Sequence, residues 1–289
     1  MDPRPVHVVL FTHIEDDTPV GSLGSAENRA AYLNWRADLI ATAELARRVG
    51  VPWVLQPDWK LLEAARLYED GAVRGTTGGQ NVLQYLRNTL RVVIDPHSHE
   101  MGGYNYTDVA YLLDILGVGG STVIGGHIWD PSLLEFAEWD RYRSPVAGMK
   151  YPEAFWRGDI LMGAGTPGHR HDPIVSGVWH PRDRWNYFTD DPMGNMVAIG
   201  GFRHTVAGIS ELYELGTTGS VEAHCMLTAS YHIKPSDIMT PATLATVERD
   251  VISPLAAMGA AGQVVFTDFA NLVSAWQVAY DGRGCIYMQ

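Results

Sequence analysis

Apolar, β-branched runs alternate with segments of helical periodicity over roughly the first 125 residues. The predicted strands cover residues 6–12, 52–56, 92–94 and 121–124, and the predicted helices cover residues 26–49, 60–70, 81–90 and 108–116. Near-continuous apolar strands are typical of parallel sheets that are buried on both faces. The alternation therefore predicts parallel βαβ units and an α/β fold class.

The second half of the chain is less regular, and it closes with a strand and a helix. Strands are predicted at residues 159–162, 174–179, 196–199, 221–231 and 264–267, and helices at residues 132–139, 241–258 and 269–278. Predicted helix boundaries come from Ser25, Thr107 and Thr240 as N-caps and from Gly50 as a terminator. Because no repeat or linker divides the chain, we expect a single domain over residues 1–289, with an aromatic-rich middle at about 126–220.

Composition narrows the possible partners. The net charge of -12 argues against nucleic acid and favours a neutral or cationic ligand. No apolar run is long enough to predict a membrane span. The two cysteines lie outside any metal-binding spacing. The first residues lack the length of a signal peptide, which leaves a cytoplasmic protein and a secreted one with its leader removed both open.

The stretch after the third predicted strand carries the strongest chemical signal. Residues 92–94 lead into Asp95, Pro96, His97, Ser98 and His99. If the backbone stays extended, His97 and His99 project to the same side, because side chains alternate with period two. Two imidazoles on one side of a strand end form half of a metal site. The alternative is a pair of unrelated surface histidines.

Acidic residues follow the first predicted strand. Glu15, Asp16 and Asp17 are consecutive, and such a cluster is costly unless it is solvated or holds a cation. His13, just before them, fits a metal ligand, a partner of a ligand or an ordinary strand-end histidine. Asp17, His97 and His99 together supply oxygen and nitrogen ligands for zinc or a similar divalent ion. Asp16 then lies where a general base for the metal-bound water is needed.

Several of these segments, in this order, resemble the polysaccharide deacetylase family. Asp16-Asp17-Thr18-Pro19 is similar to the family's first motif, residues 93–99 are similar to its second, and the helix-Gly50-strand unit and the last strand and helix also match. The two histidines are two positions apart here, whereas the family places them four apart. Its Arg-containing third motif has no clean match, and residues 163–172 offer His169, Arg170 and His171 instead.

The resemblance implies a single irregular (β/α) barrel with seven strands. It also implies a metal-dependent hydrolase that removes an N- or O-acetyl group from a carbohydrate. In that family a histidine from a late strand protonates the leaving group, and His232 is the first candidate for this role here, with His224 the second.

Aromatic residues give a second indication of carbohydrate. Nine tryptophans are more than a barrel core usually requires, and five fall in or near the irregular middle: Trp129, Trp139, Trp156, Trp179 and Trp185. Exposed indole rings stack on sugar rings, whereas buried ones pack loops onto the core.

Two other functional interpretations remain. Residues 94–99 also resemble the first-strand metal motif of amidohydrolases, in which an aspartate precedes a His-x-His pair. In that family the histidine pair lies on the first barrel strand. Whether His97 follows the first or the third strand therefore distinguishes an amidohydrolase from a polysaccharide deacetylase. The absence of a clean third motif also fits a non-enzymatic carbohydrate-binding barrel.

Overall fold

The computed structural model describes residues 4–126, 139–162 and 173–289. Residues 132–138 of the predicted helix at 132–139, Trp129 and the segment 163–172 lie outside these ranges. Over the described residues the chain forms mixed α/β structure with one five-stranded, one four-stranded and two two-stranded sheets.

The first half alternates strand and helix, as predicted. Its elements are β1 Val6–Ile14, α1 Ala26–Val49, β2 Val54–Pro57, α2 Trp59–Tyr68, α3 Gly71–Gly75, α4 Val82–Asn88, β3 Val93–Ile94, α5 Tyr106–Ile115 and β4 Val123–Ile124. Ser25 caps α1 by accepting from the Asn28 N–H, and Gly50 ends it in the left-handed conformation. Helix α5 starts earlier than predicted, because Asn105 rather than Thr107 is its N-cap.

The second half contains shorter elements. After a 3₁₀ turn at Trp139–Arg143 come β5 Val146–Ala147, β6 Phe155–Trp156, β7 Ile160–Met162, β8 Val175–Ser176, β9 Val178–Trp179, β10 Val197–Ile199, α6 Val206–Thr217, β11 Thr228–His232 and α7 Pro235–Ile238. The chain ends with α8 Pro241–Val247, a π-helical turn at Glu248–Ile252, α9 Ser253–Ala260, β12 Val264–Phe266, α10 Phe269–Ala279 and β13 Tyr287–Met288. The predicted strand at 174–179 is two strands, since Gly177 between them has φ 119°.

The largest sheet has the order β11-β1-β2-β3, with β12 also pairing β1, and all of its pairs are parallel. The four-stranded sheet has the order β4-β7-β10-β9. A parallel bridge between His97 and Gly125 links the extension of β3 to that of β4. None of these sheets closes on itself over the described residues, so the seven-stranded barrel stays a prediction.

Strand β1 is buried on both faces, and its alternation decides where its last residues point. Val8 and Leu10 belong to a cluster that includes Leu39 and Ala43 of α1. Val9 and Phe11 belong to another cluster, with the apolar face of α10. Because side chains alternate along a strand, His13 follows Val9 and Phe11 into the second face.

The two cysteines, which no local spacing pairs, form a disulfide. Cys225 and Cys285 have Cα atoms 5.2 Å apart and are separated by 60 residues in sequence. The bond joins the segment before β11 to the segment before β13. Among the helices of the described ranges, none has the length and apolar character required to cross a membrane.

Candidate metal centre

Two parallel strands bring a group of possible ligands to one edge of the sheet. His13 and Glu15 lie at the carboxyl end of β1, and His97 lies just beyond β3. Their ligand atoms all lie within 4.8 Å of one another. A tetrahedral zinc site needs neighbouring ligand atoms about 3.4 Å apart, so this group requires only a modest closure to hold an ion.

The imidazole of His97 is held at both nitrogens. Nδ1 lies 3.0 Å from the Gly125 carbonyl oxygen, which also accepts from the Tyr106 hydroxyl. Nε2 lies 3.0 Å from Glu15 Oε2. A proton on Nδ1 satisfies the carbonyl and leaves Nε2 directed at the carboxylate, an arrangement common among metal-binding histidines.

His13 is buried and stacks on His97, with ring centroids 4.2 Å apart. Its Nε2 has no hydrogen-bond partner among the described residues. Burial, together with the nearby charges of His97 and His232, lowers the pKa of His13 well below its usual value. The neutral imidazole is the form that binds a metal, so this buried nitrogen fits a ligand role.

Glu15 is the negative partner of the group. Burial by itself would raise the pKa of Glu15, but the His97 hydrogen bond and the charges of His97 and His99 lower it to about 2. Burial opposes protonation of His97, yet Glu15 and Asp58 together raise its pKa. The carboxylate is therefore ionised and available as an oxygen ligand.

His99 extends the group toward Asp16. Its Nε2 lies 3.1 Å from Glu15 Oε2, and its Nδ1 lies 3.7 Å from Asp16 Oδ1. Its backbone N–H donates to Asp58 Oδ2 at 3.2 Å. Burial raises the pKa of Asp58 to about 7. Asp58 also caps α2, so it ties the His99 backbone to the start of that helix.

Asp17, a predicted ligand, is not brought into this group. It is exposed, and its Oδ1 accepts from the Thr18 hydroxyl at 2.9 Å. Glu15 meets both histidines instead. The reason is that β1 continues to Ile14, beyond the predicted end at residue 12, so Glu15 still falls on the same side as His13. The chain then turns at Asp16 and Asp17, with the Thr18 N–H donating to the Glu15 carbonyl at 3.0 Å, and the alternation does not reach Asp17.

The two candidate leaving-group acids lie at opposite ends of β11. His232 pairs in register with Phe11, stacks on its ring at 5.0 Å and lies 5.1 Å from the His13 ring. His224 precedes the strand and lies 3.1 Å from Glu222. His232 is thus at the edge that carries the candidate metal centre, and His224 is at the other edge.

The sequence did not single out Glu15 as a ligand or His204 at all. Period-two alternation from Phe11 would have found Glu15, given the correct end of β1. His204 is buried, with Nδ1 3.3 Å from Ser230 Oγ and its ring 6.0 Å from Phe11. It lies in a turn far from the other histidines in sequence, and no spacing indicates it.

A glycine at the end of β4 lets the backbone pass close to the histidine rings. A Cβ atom at Gly126 would lie 2.5 Å from two atoms of the His97 ring and 3.2 Å from the His13 ring. Gly126 also has a positive φ of 78°. No other residue fits this position without moving the rings.

The described tryptophans of the aromatic-rich middle differ in how much of the ring is exposed. Trp139 and Trp179 are buried and Trp156 is partly buried, whereas Trp185 is 73% exposed. Of the described tryptophans in this region, Trp185 is therefore the one with most ring surface available for a sugar.

Comparison with known protein families, with curated proteins and with solved structures finds no match to this chain. The geometry of the centre and the resemblance of its motifs are what indicate a function.

Proposed function

We propose that this chain is a metal-dependent hydrolase whose divalent ion is held by His13, Glu15 and His97. The observation that carries the proposal is the convergence of two buried imidazoles and one carboxylate, with all ligand atoms within 4.8 Å. Nitrogen and oxygen donors together suit zinc or a similar divalent ion. Two ligands differ from the predicted set of Asp17, His97 and His99. Glu15 takes the place of Asp17, because Glu15 contacts the histidines and Asp17 faces solvent. His13 takes the place of His99, because His13 is buried with its Nε2 lacking a partner among the described residues, whereas His99 is partly exposed and contacts Glu15.

Such an ion supplies a Lewis acid that polarises a carbonyl oxygen and lowers the pKa of a bound water. The chain's own residues supply the rest. Asp16 lies beside His99 at 3.7 Å, close enough to the group to accept a proton from the attacking water. His232, at the same edge, is the candidate donor of a proton to the leaving group.

An acylated carbohydrate is the proposed substrate, most specifically an N- or O-acetylated sugar. The resemblance to polysaccharide deacetylases supports this class. The net charge of -12 disfavours a phosphorylated substrate, which acidic surroundings would repel. The exposed ring of Trp185 offers a flat apolar face for stacking.

The amidohydrolase interpretation fits less well. Its His-x-His pair belongs to the first barrel strand, whereas His97 here follows β3, the third strand in the chain. The non-enzymatic interpretation differs in a measurable way, because it requires neither bound metal nor turnover.

The test is acetate release from acetylated oligosaccharides, measured together with metal content. Asp16→Asn should slow turnover by about 100-fold or more, the usual contribution of a general base, while the metal stays bound. The exposed neighbour Asp17 provides the matched control, and Asp17→Asn should retain both activity and metal. Equal rates for wild type and Asp16→Asn would refute the role of Asp16, and a protein free of both metal and activity would refute the hydrolase.

A further inference from the structure

A second group of possible ligands lies at the opposite edge of the sheet. The ligand atoms of His224, Cys225 and Cys285 lie within 4.8 Å of one another. Because the two cysteines form a disulfide, their sulfurs are not thiolates in this state. The same three side chains with the disulfide reduced would offer two thiolates and an imidazole, a set that zinc binds well.

Backbone hydrogen bonds hold both cysteines independently of the disulfide. The Cys285 N–H donates to the Val178 carbonyl at 2.9 Å, which seats the C-terminal segment beside β9. The Cys225 N–H donates to the Glu222 carbonyl at 3.0 Å. The Cys225 carbonyl accepts from the Arg4 guanidinium at 2.7 Å. Reduction would therefore leave the two sulfurs as neighbours rather than release them.

The charges around the cysteines suit a cation bound to thiolates. Arg4 donates to four carbonyls of residues 221–225, so its guanidinium lies against the loop that carries Cys225. A fixed positive charge nearby favours the thiolate form. The Glu222 carboxylate lies 3.1 Å from His224 Nδ1 and is placed to orient that ring or to serve as a fourth ligand. Two thiolates and this carboxylate together balance Arg4 and a divalent ion.

From this geometry we infer that reduction of the Cys225–Cys285 disulfide creates a second metal site. In exchange with a dithiol reductant, the protein S–S bond breaks and an S–S bond forms in the reductant. Two electrons and two protons pass to the cysteines. Zinc binding to Cys225, Cys285 and His224 then displaces the two thiol protons. The site depends on the redox state of the protein and not on the proposed hydrolase activity.

Cobalt(II) is the probe, because thiolate ligands give it a charge-transfer absorption that nitrogen and oxygen ligands do not. Metal-free protein is titrated with cobalt before and after reduction by a phosphine, which competes weakly for the ion. The reduced protein should bind one more equivalent than the oxidised protein, and that equivalent should bring the thiolate absorption. Zinc should then displace the cobalt and remove the absorption.

Three variants separate this site from the candidate hydrolase centre. Cys285→Ser should lose the extra equivalent and its absorption under all conditions. His224→Ala should weaken the extra equivalent by more than the 10- to 100-fold typical for loss of a partner outside the ligand set. His97→Ala should leave the extra equivalent of cobalt in the reduced protein intact, even if it abolishes metal binding at the candidate hydrolase centre.

If reduction destabilises the protein, the melting temperature provides a second measure of zinc binding to the reduced cysteines. Zinc should raise the melting temperature of the reduced protein by more than that of the reduced Cys285→Ser variant. A reduced protein that takes up no additional cobalt, or takes it up without the thiolate absorption, overturns the inference. So does a reduced protein that unfolds and is not recovered by zinc.

Discussion

At the scale of residues, one carboxylate oxygen contacts the imidazoles of two histidines. Glu15 Oε2 lies 3.0 Å from His97 Nε2 and 3.1 Å from His99 Nε2. Neither Asp16 nor Asp17 makes a comparable pair of contacts among the described residues. Glu15 is therefore the side chain whose charge organises the candidate metal centre, and losing it would leave adjacent imidazoles without their anion.

Glu15→Gln is expected to abolish or severely weaken metal binding, because it removes the anionic ligand while keeping the size of the side chain. Asp17→Asn makes the same change of charge two residues away on an exposed side chain, and it should leave metal affinity unchanged. Metal content after dialysis and calorimetric titration with zinc measure both effects. Loss of metal in Asp17→Asn with retention in Glu15→Gln would restore Asp17 as the ligand.

His97 and His99 were predictable from the sequence, whereas the choice of acidic residue was not. His97 and His99 follow a short apolar run and a proline that ends it, and the structure brings them together within one group. The choice between Glu15 and Asp17 depends on where β1 ends, and strand ends are set by pairing with β2 rather than by local residue preference. His204 approaches Phe11 only through tertiary packing.

At the scale of elements, Asp108 joins the start of α5 to the loop that follows β5. Its carboxylate accepts from the Asn105 N–H and from the N–H groups of Met149, Lys150 and Tyr151. The side chain is fully buried. One residue thus completes the capping box of α5 and satisfies three N–H groups of a separate segment.

Asp108→Ala should lower the free energy of unfolding by about 3 to 5 kcal/mol, because it leaves the buried Asn105 N–H and three partly buried N–H groups without their acceptor. Asp114→Ala changes the same charge on the same helix at an exposed position. Its cost should stay within about 0.5 kcal/mol. Urea denaturation of the two variants measures the difference. Similar midpoints for the two would show that the hydrogen bonds of Asp108 do not contribute this much to the free energy of unfolding.

The start of α5 shows why helix boundaries were only partly predictable. Thr107 is a good N-cap residue, but Asn105 and Asp108 have the spacing of a capping box and satisfy each other's backbone N–H groups. The reciprocal pair outcompetes the single cap. At residue 240 the prediction is confirmed, since Thr240 caps α8 and Pro241 occupies its first turn.

At the scale of the whole molecule, the pH dependence of folding includes a contribution from His7 in β1. Burial lowers the pKa of His7 to about 4, and its Nδ1 has no partner among the described residues. The unfolded chain takes up a proton near pH 6.5, whereas the folded chain resists it until about pH 4. The stability contributed by neutral His7 is therefore complete above pH 6.5 and is lost as the pH falls toward 4.

His7→Gln removes this titration. Between pH 7 and pH 4 the wild type should lose up to about 3 kcal/mol more than the variant, as a shift of this size implies. Free energies of unfolding from urea titrations at several pH values test this. Parallel pH profiles for the two proteins would show that His7 does not couple folding to protonation.

The parallel architecture of the first half was predictable, because apolar strands and amphipathic helices alternate there at local spacing. The arrangement of strands in the second half was not predictable. Most of these strands have two or three residues, which is too short for a recognisable alternation of apolar and polar side chains. The Cys225–Cys285 pair was equally hidden, because 60 residues separate its members. Closure of the strands into a barrel stays a prediction.

Gly126 limits how the candidate metal centre can be changed, by evolution or by design. The backbone there passes so close to His97 and His13 that any side chain would meet their rings. New ligands or new specificity therefore cannot be introduced from this position. A change of metal preference has to come from the segments around Glu15 and His99, and position 126 must stay without a side chain in every version that keeps both imidazoles in place.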